Sequence, residues 1–179
     1  MAKKILILSG SPRHGGNSDL LCDAFMKGAK EAGHQVEKIR IATQQIGYCR
    51  ACYYCKKHAG ECVIKDDMAT ILERMLGADV IVMASPVYFY SIDAQLKTLI
   101  DRTVARWTEI RDKEFYYIAT AAEAEREALS CTIECMRGLA ACLKGSVERG
   151  VILGGGFYER GTIAGSPVEE EAYQMGLSV

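Results

Sequence analysis

Four cysteines crowd into one short stretch, Cys49, Cys52, Cys55 and Cys62, spaced C-x2-C-x2-C-x6-C. Three thiols at x2 spacing can wrap around one object, and a short loop returns the fourth. Iron–sulfur clusters are held by cysteine runs of this kind, because four thiolates match the four irons of a cubane. Structural zinc more usually draws its thiols from two separated pairs, and free or redox-active thiols are a third use of the same residues. The spacing leaves these three uses open.

Two further stretches carry chemistry. The first, SGSPRHGGNS (9–18), offers the hydroxyls of Ser9, Ser11 and Ser18, the amide of Asn17 and the guanidinium of Arg13. Gly10, Gly15 and Gly16 are small enough for the backbone to close round a phosphate. A helical pattern starts directly afterwards, so free N–H groups and the positive end of a helix dipole favour an anion there. The spacing is neither G-x-G-x-x-G nor G-x-x-x-x-G-K-[ST], which weakens the dinucleotide and P-loop readings. A plain strand-to-helix turn with a serine cap is the simpler alternative. The second stretch, SPVYFY (85–90), has Pro86 restricting the backbone and Val87, Tyr88, Phe89 and Tyr90 able to wall a planar ring. Packing under a helix or at a subunit contact is the competing use of those aromatics. His14, His34 and His58 read as surface residues rather than catalytic ones.

These stretches need elements to position them. Strand-length apolar runs at Lys4–Leu8, Val36–Ile41, Asp79–Ala84, Phe115–Ala119 and Val151–Leu153 alternate with helical patterns. Helices are expected from Asn17 or Ser18 to the Gly33 cap, over Met68–Leu76 behind Asp66 and Asp67, and over Asp93–Thr108, Glu123–Lys144 and Glu169–Met175. Alternation of this kind predicts a doubly wound, three-layer α/β domain with a five-stranded parallel sheet, with 2-1-3-4-5 as the expected order among the common doubly wound ones. In such sheets the ligand lies beyond the carboxyl ends of the strands, where the order reverses. The two loops leading out of the first and third strands are SGSPRHGGNS and SPVYFY. A phosphate cradle and an aromatic wall at one switch point are more specific together than either alone.

Composition sets the outer bounds. The 179 residues, 49% apolar and 25% charged, suit a single domain spanning 1–179 with a cysteine-rich loop at 48–63. A formal net charge of -1 gives no draw to nucleic acid or an anionic membrane. The apolar run at Met1–Leu8 ends at Ser9, so a strand is favoured over a signal peptide, and no stretch is long enough to cross a bilayer. Eight cysteines without an export signal point to a reducing, cytoplasmic setting. Cys22, and Cys131, Cys135 and Cys142 on one face of the long helix, read as packing residues or a helix-mediated subunit contact.

The residues GSPRHGGNS (10–18), SPVYFY (85–90), KTLIDR (97–102) and CVIKDDM (62–68) resemble the NADPH-dependent FMN reductase and iron–sulfur flavoprotein families. The resemblance runs in order through most of the chain, to GGGFYERGTI (154–163), and implies a flavodoxin-like fold. It also implies FMN, with its phosphate on Ser9, Ser11, Arg13, Asn17 and Ser18 and with Pro12 among the cofactor-binding residues; the flavin would carry the reaction, so no catalytic acid, base or nucleophile is required. The isoalloxazine would lie against Pro86, Val87, Tyr88, Phe89 and Tyr90, with Thr120, Ala121 and Ala122 as a third wall. NAD(P)H is the implied co-substrate, and flavin, a quinone or another small acceptor the implied oxidant. Small-molecule or protein redox partners and a homodimer or homotetramer follow from the same resemblance. In iron–sulfur flavoproteins a compact cysteine motif of this form ligates a 4Fe-4S cluster. Related reductases keep a similar loop without one.

Overall fold

The computed structural model describes residues 1–179, the side chain of Arg126 excepted. Five strands, β1 (Lys4–Ser9), β2 (Gln35–Arg40), β3 (Val80–Pro86), β4 (Glu114–Thr120) and β5 (Val147–Gly154), form one parallel sheet in the order β2-β1-β3-β4-β5. Helices α1 (Asn17–Glu31), α2 (Tyr54–Lys57), α3 (Met68–Gly77), α4 (Ala94–Arg102), α5 (Arg126–Cys142) and α6 (Pro167–Leu177) complete the chain. The doubly wound expectation therefore holds, strand order included.

Side-chain alternation along the strands builds two cores. Ile5, Ile7, Val80, Val82 and Ala84 pack under α1 and α6 with Leu21, Phe25 and Ala172. Leu6, Leu8, Ile81 and Met83 pack on the opposite face with Met75 of α3, Leu96 and Leu99 of α4, and Met136 of α5. Both faces of β1 and β3 are covered, which is why these strands read as unbroken apolar runs. Each such side chain, once buried, contributes about 1.5–3 kcal/mol of transfer free energy.

Several boundaries differ from the sequence reading. β5 starts at Val147, because its first half, Val147-Glu148-Arg149, lies on an exposed sheet edge and carries charge. Glu148 pairs with Arg137, and Arg149 with Glu114. Charge on an edge strand discourages pairing with another chain and hides the strand from an apolar-run search. α4 gives way at Arg102 to a short 3-10 turn, Thr103–Ala105. There β-branched Thr103 and Val104 follow, and the Thr103 hydroxyl donates back to the Ile100 carbonyl. α5 begins at Arg126, since residues 121–124 are held in a loop by bonds to Gly156 and Phe157.

Cysteines 131, 135 and 142 do share a helix face, but it is the exposed one. α5 buries Leu129, Ile133, Met136 and Leu139 instead, whose larger apolar area decides which face turns inward. Packing within the fold is thus ruled out as the role of these three thiols. Cys22 is buried in α1 as expected, and burial pushes its thiol up to about 12. No helix among the described residues is long and apolar enough to cross a membrane.

Candidate functional site

The loops leaving β1, β3, β4 and β5 enclose one cavity of about 340 Å³ at the carboxyl edge of the sheet. Ser11, Arg13, Gly16, Asn17 and Ser18 form one end, and Pro86, Val87, Tyr88, Phe89 and Tyr90 a side wall. Thr120, Ala121 and Ala122, which the resemblance implied as a further wall, are on the lining of the same cavity. Glu123, Ala128, Phe157, Tyr158 and Arg160 also line it, and none of these five was singled out from the sequence. The GGGFYERGTI stretch carried a signal in its glycines and aromatics. Its proximity to the first loop depends on contacts about 140 residues apart, which sequence patterning does not reveal.

Backbone bonds stitch the loops together. Gly10 N–H donates to Ala84 O (2.9 Å), Val87 N–H to Thr120 O (2.8 Å), Ala121 N–H to Gly154 O (3.0 Å), and Phe157 N–H to Ala121 O (3.0 Å). Beneath them lies Asp93, fully buried at the N-cap of α4, accepting from Leu96 N–H (2.9 Å) and the Ser85 hydroxyl (2.8 Å). Burial pushes its carboxyl up, against the pull of those hydrogen bonds. A Cβ on Gly10 would lie 2.8 Å from the Asp93 Cγ and closer still to Oδ2, so only glycine lets the first loop sit this tightly on α4.

The anion end is built around α1. Gly16, the N-cap, supplies no side chain, and the free N–H groups of the first turn are left open to the cavity. Ser18 Oγ is buried, its residue 1% exposed, and has no hydrogen-bond partner. An orphaned buried hydroxyl at a helix N-terminus fits an absent anion, because leaving it unpaired costs about 1–3 kcal/mol. Gly15, at φ +62°, turns the loop so that its N–H donates to Asp19 (2.9 Å). Burial alone would raise the Asp19 carboxyl. The Gly15 N–H, Lys38 and Ser9 outweigh it and hold that carboxyl below its usual range.

Two expected anion ligands, Ser9 and Asn17, and one expected cofactor contact, Pro12, are placed otherwise. Ser9 is fully buried and does not line the cavity, its hydroxyl donating to Asp19 (3.0 Å). Pro12 is exposed and lies outside the lining. Asn17 lines the cavity, but its amide is spent on the distant loop. Nδ2 donates to Phe157 O (3.0 Å) and Glu159 O (2.9 Å), and Oδ1 accepts from Ile163 N–H (3.3 Å).

At the ring end, Tyr88 and Ser91 close a two-residue hairpin through paired backbone bonds of 3.0 and 3.1 Å. Its central residues, Phe89 and Tyr90, both have positive φ, +51° and +59°. That is the backbone of a type I′ turn, which normally selects Asn-Gly. Aromatic residues there cost about 1–2 kcal/mol each. Phe89 is fully exposed and Tyr90 and Tyr158 mostly so, leaving apolar rings at the cavity mouth.

Residues 48–63 form a separate lobe beside α4. Cys49, Cys52, Cys55 and Cys62 line a common cavity of about 270 Å³ with Arg50, Lys56, Val63 and Arg102. Ala51, Tyr53 and Ala59 hold positive φ (+51°, +56°, +48°), so the loop keeps a strained path around that space. Its ends are clamped. Arg102, 2% exposed, donates to Asp66 through two bonds (2.7 and 2.9 Å) and to Gly47 O (2.6 Å), while Asp66 accepts from Gly47 N–H (2.8 Å). Burial works against the charged Asp66, but the Arg102 guanidinium more than offsets it and lowers the carboxyl. Among the described residues no three His, Cys, Asp or Glu side chains stand in metal-holding geometry. Four thiols on the lining of one cavity, which Arg50, Lys56, Arg102 and Asp101 share, still have the donor chemistry that a cluster requires.

The family model for NADPH-dependent FMN reductases matches residues 3–150. An iron–sulfur flavoprotein of Archaeoglobus fulgidus is 32% identical, the match covering 95% of this chain and 90% of that protein. Another iron–sulfur flavoprotein, from Methanosarcina thermophila, is 43% identical over 56% of this chain and 52% of its own length. Toward several such relatives the match spans only about half of their length. Among solved structures, an azoreductase from Bacillus anthracis superposes with a TM-score of 0.77 at 17% identity, covering 99% of this chain and all of that one. That likeness shows the fold, which is flavodoxin-like.

Proposed function

We infer that this chain, which belongs to the NADPH-dependent FMN reductase family, is an oxidoreductase that binds FMN at the switch-point cavity and reduces it with NAD(P)H. The observation that carries the reading is the pairing of an orphaned Ser18 hydroxyl at the start of α1 with an aromatic and apolar wall across one cavity. FMN, when bound, supplies the chemistry: it takes a hydride at its N5 and passes electrons on singly or in pairs. The residues bind and orient. Ser11, Arg13, Ser18 and the α1 N–H groups hold the phosphate. Pro86, Val87, Tyr88, Phe89 and Tyr90, with Thr120, Ala121 and Ala122, would wall the ring, and the mouth beside the exposed Phe89, Tyr90 and Tyr158 would admit donor and acceptor. Flavin, a quinone or another small molecule is the acceptor. The working form is a cytoplasmic homodimer or homotetramer.

The test is anaerobic. FMN-loaded protein mixed with excess NADPH, and separately NADH, should lose its oxidised-flavin absorbance within a catalytic time. Flavin that stays oxidised with both nucleotides removes the reductase reading.

The four-thiol cavity favours a second reading, in which Cys49, Cys52, Cys55 and Cys62 hold a 4Fe-4S cluster that exchanges electrons with FMN. The names of the relatives support it. The clamp between Arg102 and Asp66 would fix the loop, and Arg50, Lys56 and Arg102 would offset the negative charge of thiolates. Protein prepared without oxygen should then carry about four irons and four sulfides per chain. A preparation containing neither, with all four thiols free to alkylation, rejects it.

A further inference from the structure

We propose that Arg160 is the second guanidinium of the phosphomonoester subsite and that Asn17 is the positioning residue that holds it there. The proposal rests on the FMN reading and deepens it. Arg160 lies in the loop after β5, far in sequence from the phosphate loop, yet it lines the same cavity as Ser11, Arg13 and Ser18. Its Nη2 is 3.5 Å from the point a Cβ on Gly15 would occupy, so the guanidinium lies over the bare backbone at the start of α1. Neither Arg160 nor Arg13 makes a side-chain hydrogen bond or ion pair among the described residues, and they are the two cationic residues on the cavity lining. Each is a free donor set facing the end where Ser18 Oγ has no partner.

What brings Arg160 to this place is Asn17. Its amide bonds Phe157 O, Glu159 O and Ile163 N–H, so the loop is pinned on both sides of Arg160. An amide satisfies this role because it presents a donor group and an acceptor together. Asn17 therefore acts on the anion through another residue.

Charge supports the assignment. A phosphate monoester carries about −1.5 to −2 at neutral pH. Arg13, Arg160 and the half-charge of the α1 N-terminus oppose it, and Glu123 is the acidic residue on the cavity lining. Glu159 adjoins Arg160 in sequence, but its backbone carbonyl, bonded to Asn17, is the part the structure ties to the site. Guanidinium pairs with phosphate oxygens in two-pronged fashion, which a lysine cannot reproduce.

The test compares FMN with riboflavin, which differ only in the phosphate, by flavin fluorescence quenching on apoprotein. Arg160→Met should weaken FMN about 10- to 100-fold while leaving riboflavin within a factor of two. Asn17→Ala should lower the FMN-over-riboflavin preference to a similar extent, and the double variant should lower it no further. Arg160 is exposed, so its variant tests the idea even if Asn17→Ala fails to fold. FMN affinity unchanged in Arg160→Met, or an equal fall for both ligands, overturns the proposal while the FMN reading stands. Losses of preference that multiply in the double variant overturn the role of Asn17. Wild-type protein that binds riboflavin as tightly as FMN overturns the phosphate subsite itself, and this proposal with it.

Discussion

Gly10→Ala tests how the two flavin-facing loops are joined. Gly10 follows β1, and Asp93 caps α4 after the aromatic loop. A methyl at Gly10 would lie 2.8 Å from the Asp93 Cγ. The carboxylate cannot simply swing away, since Leu96 N–H and the Ser85 hydroxyl fix both of its oxygens. Either the cap is lost, at about 0.5–2 kcal/mol, or the first loop is pushed off, at about 1–3 kcal/mol for overpacking. Both in part give about 2–4 kcal/mol. With a urea dependence of about 2 kcal/mol per molar, the unfolding midpoint should fall by roughly 1–2 M.

The control is Asp93→Ser, which keeps a capping hydroxyl for Leu96 N–H and removes the atoms in the way. It should cost about 1 kcal/mol by itself, mainly through the stranded Ser85 hydroxyl. In that background Gly10→Ala should cost under about 1 kcal/mol, a coupling of 1–3 kcal/mol between the two positions. Equal midpoint losses in both backgrounds would refute a steric origin. The same variant should weaken FMN, because the loop that moves carries Ser11 and Arg13.

Three further outcomes follow from the geometry. Arg102→Met leaves the Asp66 carboxylate and the Gly47 carbonyl without their partner. Breaking a buried pair costs about 3–5 kcal/mol, and because Asp66 keeps 10% exposure the low end is expected in urea melts; a loss below 1 kcal/mol contradicts the clamp. Asp19 has a folded carboxyl held below 3.8, so its contribution is complete above 3.8 and drains away as pH falls through the folded value. Asp19→Asn should accordingly destabilise most at neutral pH and progressively less in acid, and a pH-independent difference would count against the assignment. Replacing Phe89-Tyr90 by Asn-Gly should stabilise the chain by about 1–2 kcal/mol, by relieving positive φ on two aromatics, while weakening FMN and riboflavin equally. A destabilised variant would show that packing outweighs strain there.

Much of this was legible in the sequence, and the failures have physical causes. The alternation of apolar runs and helices revealed a doubly wound parallel sheet, because doubly covered strands read as unbroken apolar runs. The order 2-1-3-4-5, which the structure has, was one of the common doubly wound orders and not dictated by the pattern. SGSPRHGGNS and SPVYFY were placed at the right edge by the switch-point rule alone. Residue type, however, does not reveal which way a side chain turns. Ser9 points beneath the sheet edge to Asp19, and Asn17 spends its amide on a loop that only the folded chain brings near. Helical periodicity put Cys131, Cys135 and Cys142 on one face without saying which face is inside, and Leu129, Ile133 and Met136 decided it. The charged half of β5 and the roles of Tyr158 and Arg160 were invisible, since each depends on neighbours distant in sequence.

The placement of α4 joins the two chemical regions. Its N-cap, Asp93, sits under the flavin-facing loops, and its last residue, Arg102, grips both ends of the cysteine segment. Nine helical residues span about 13 Å, so a single rigid element fixes the cysteine lobe relative to the cavity. Loops alone would let the two regions drift. Buried Leu96 and Leu99 anchor α4 to the sheet, which prevents it from sliding along its axis. Gly10→Ala and Arg102→Met therefore strike opposite ends of one strut. The features at both ends of α4, a buried carboxyl held by Leu96 N–H and the Ser85 hydroxyl at one and a desolvated ion pair at the other, hold the two regions at a fixed separation.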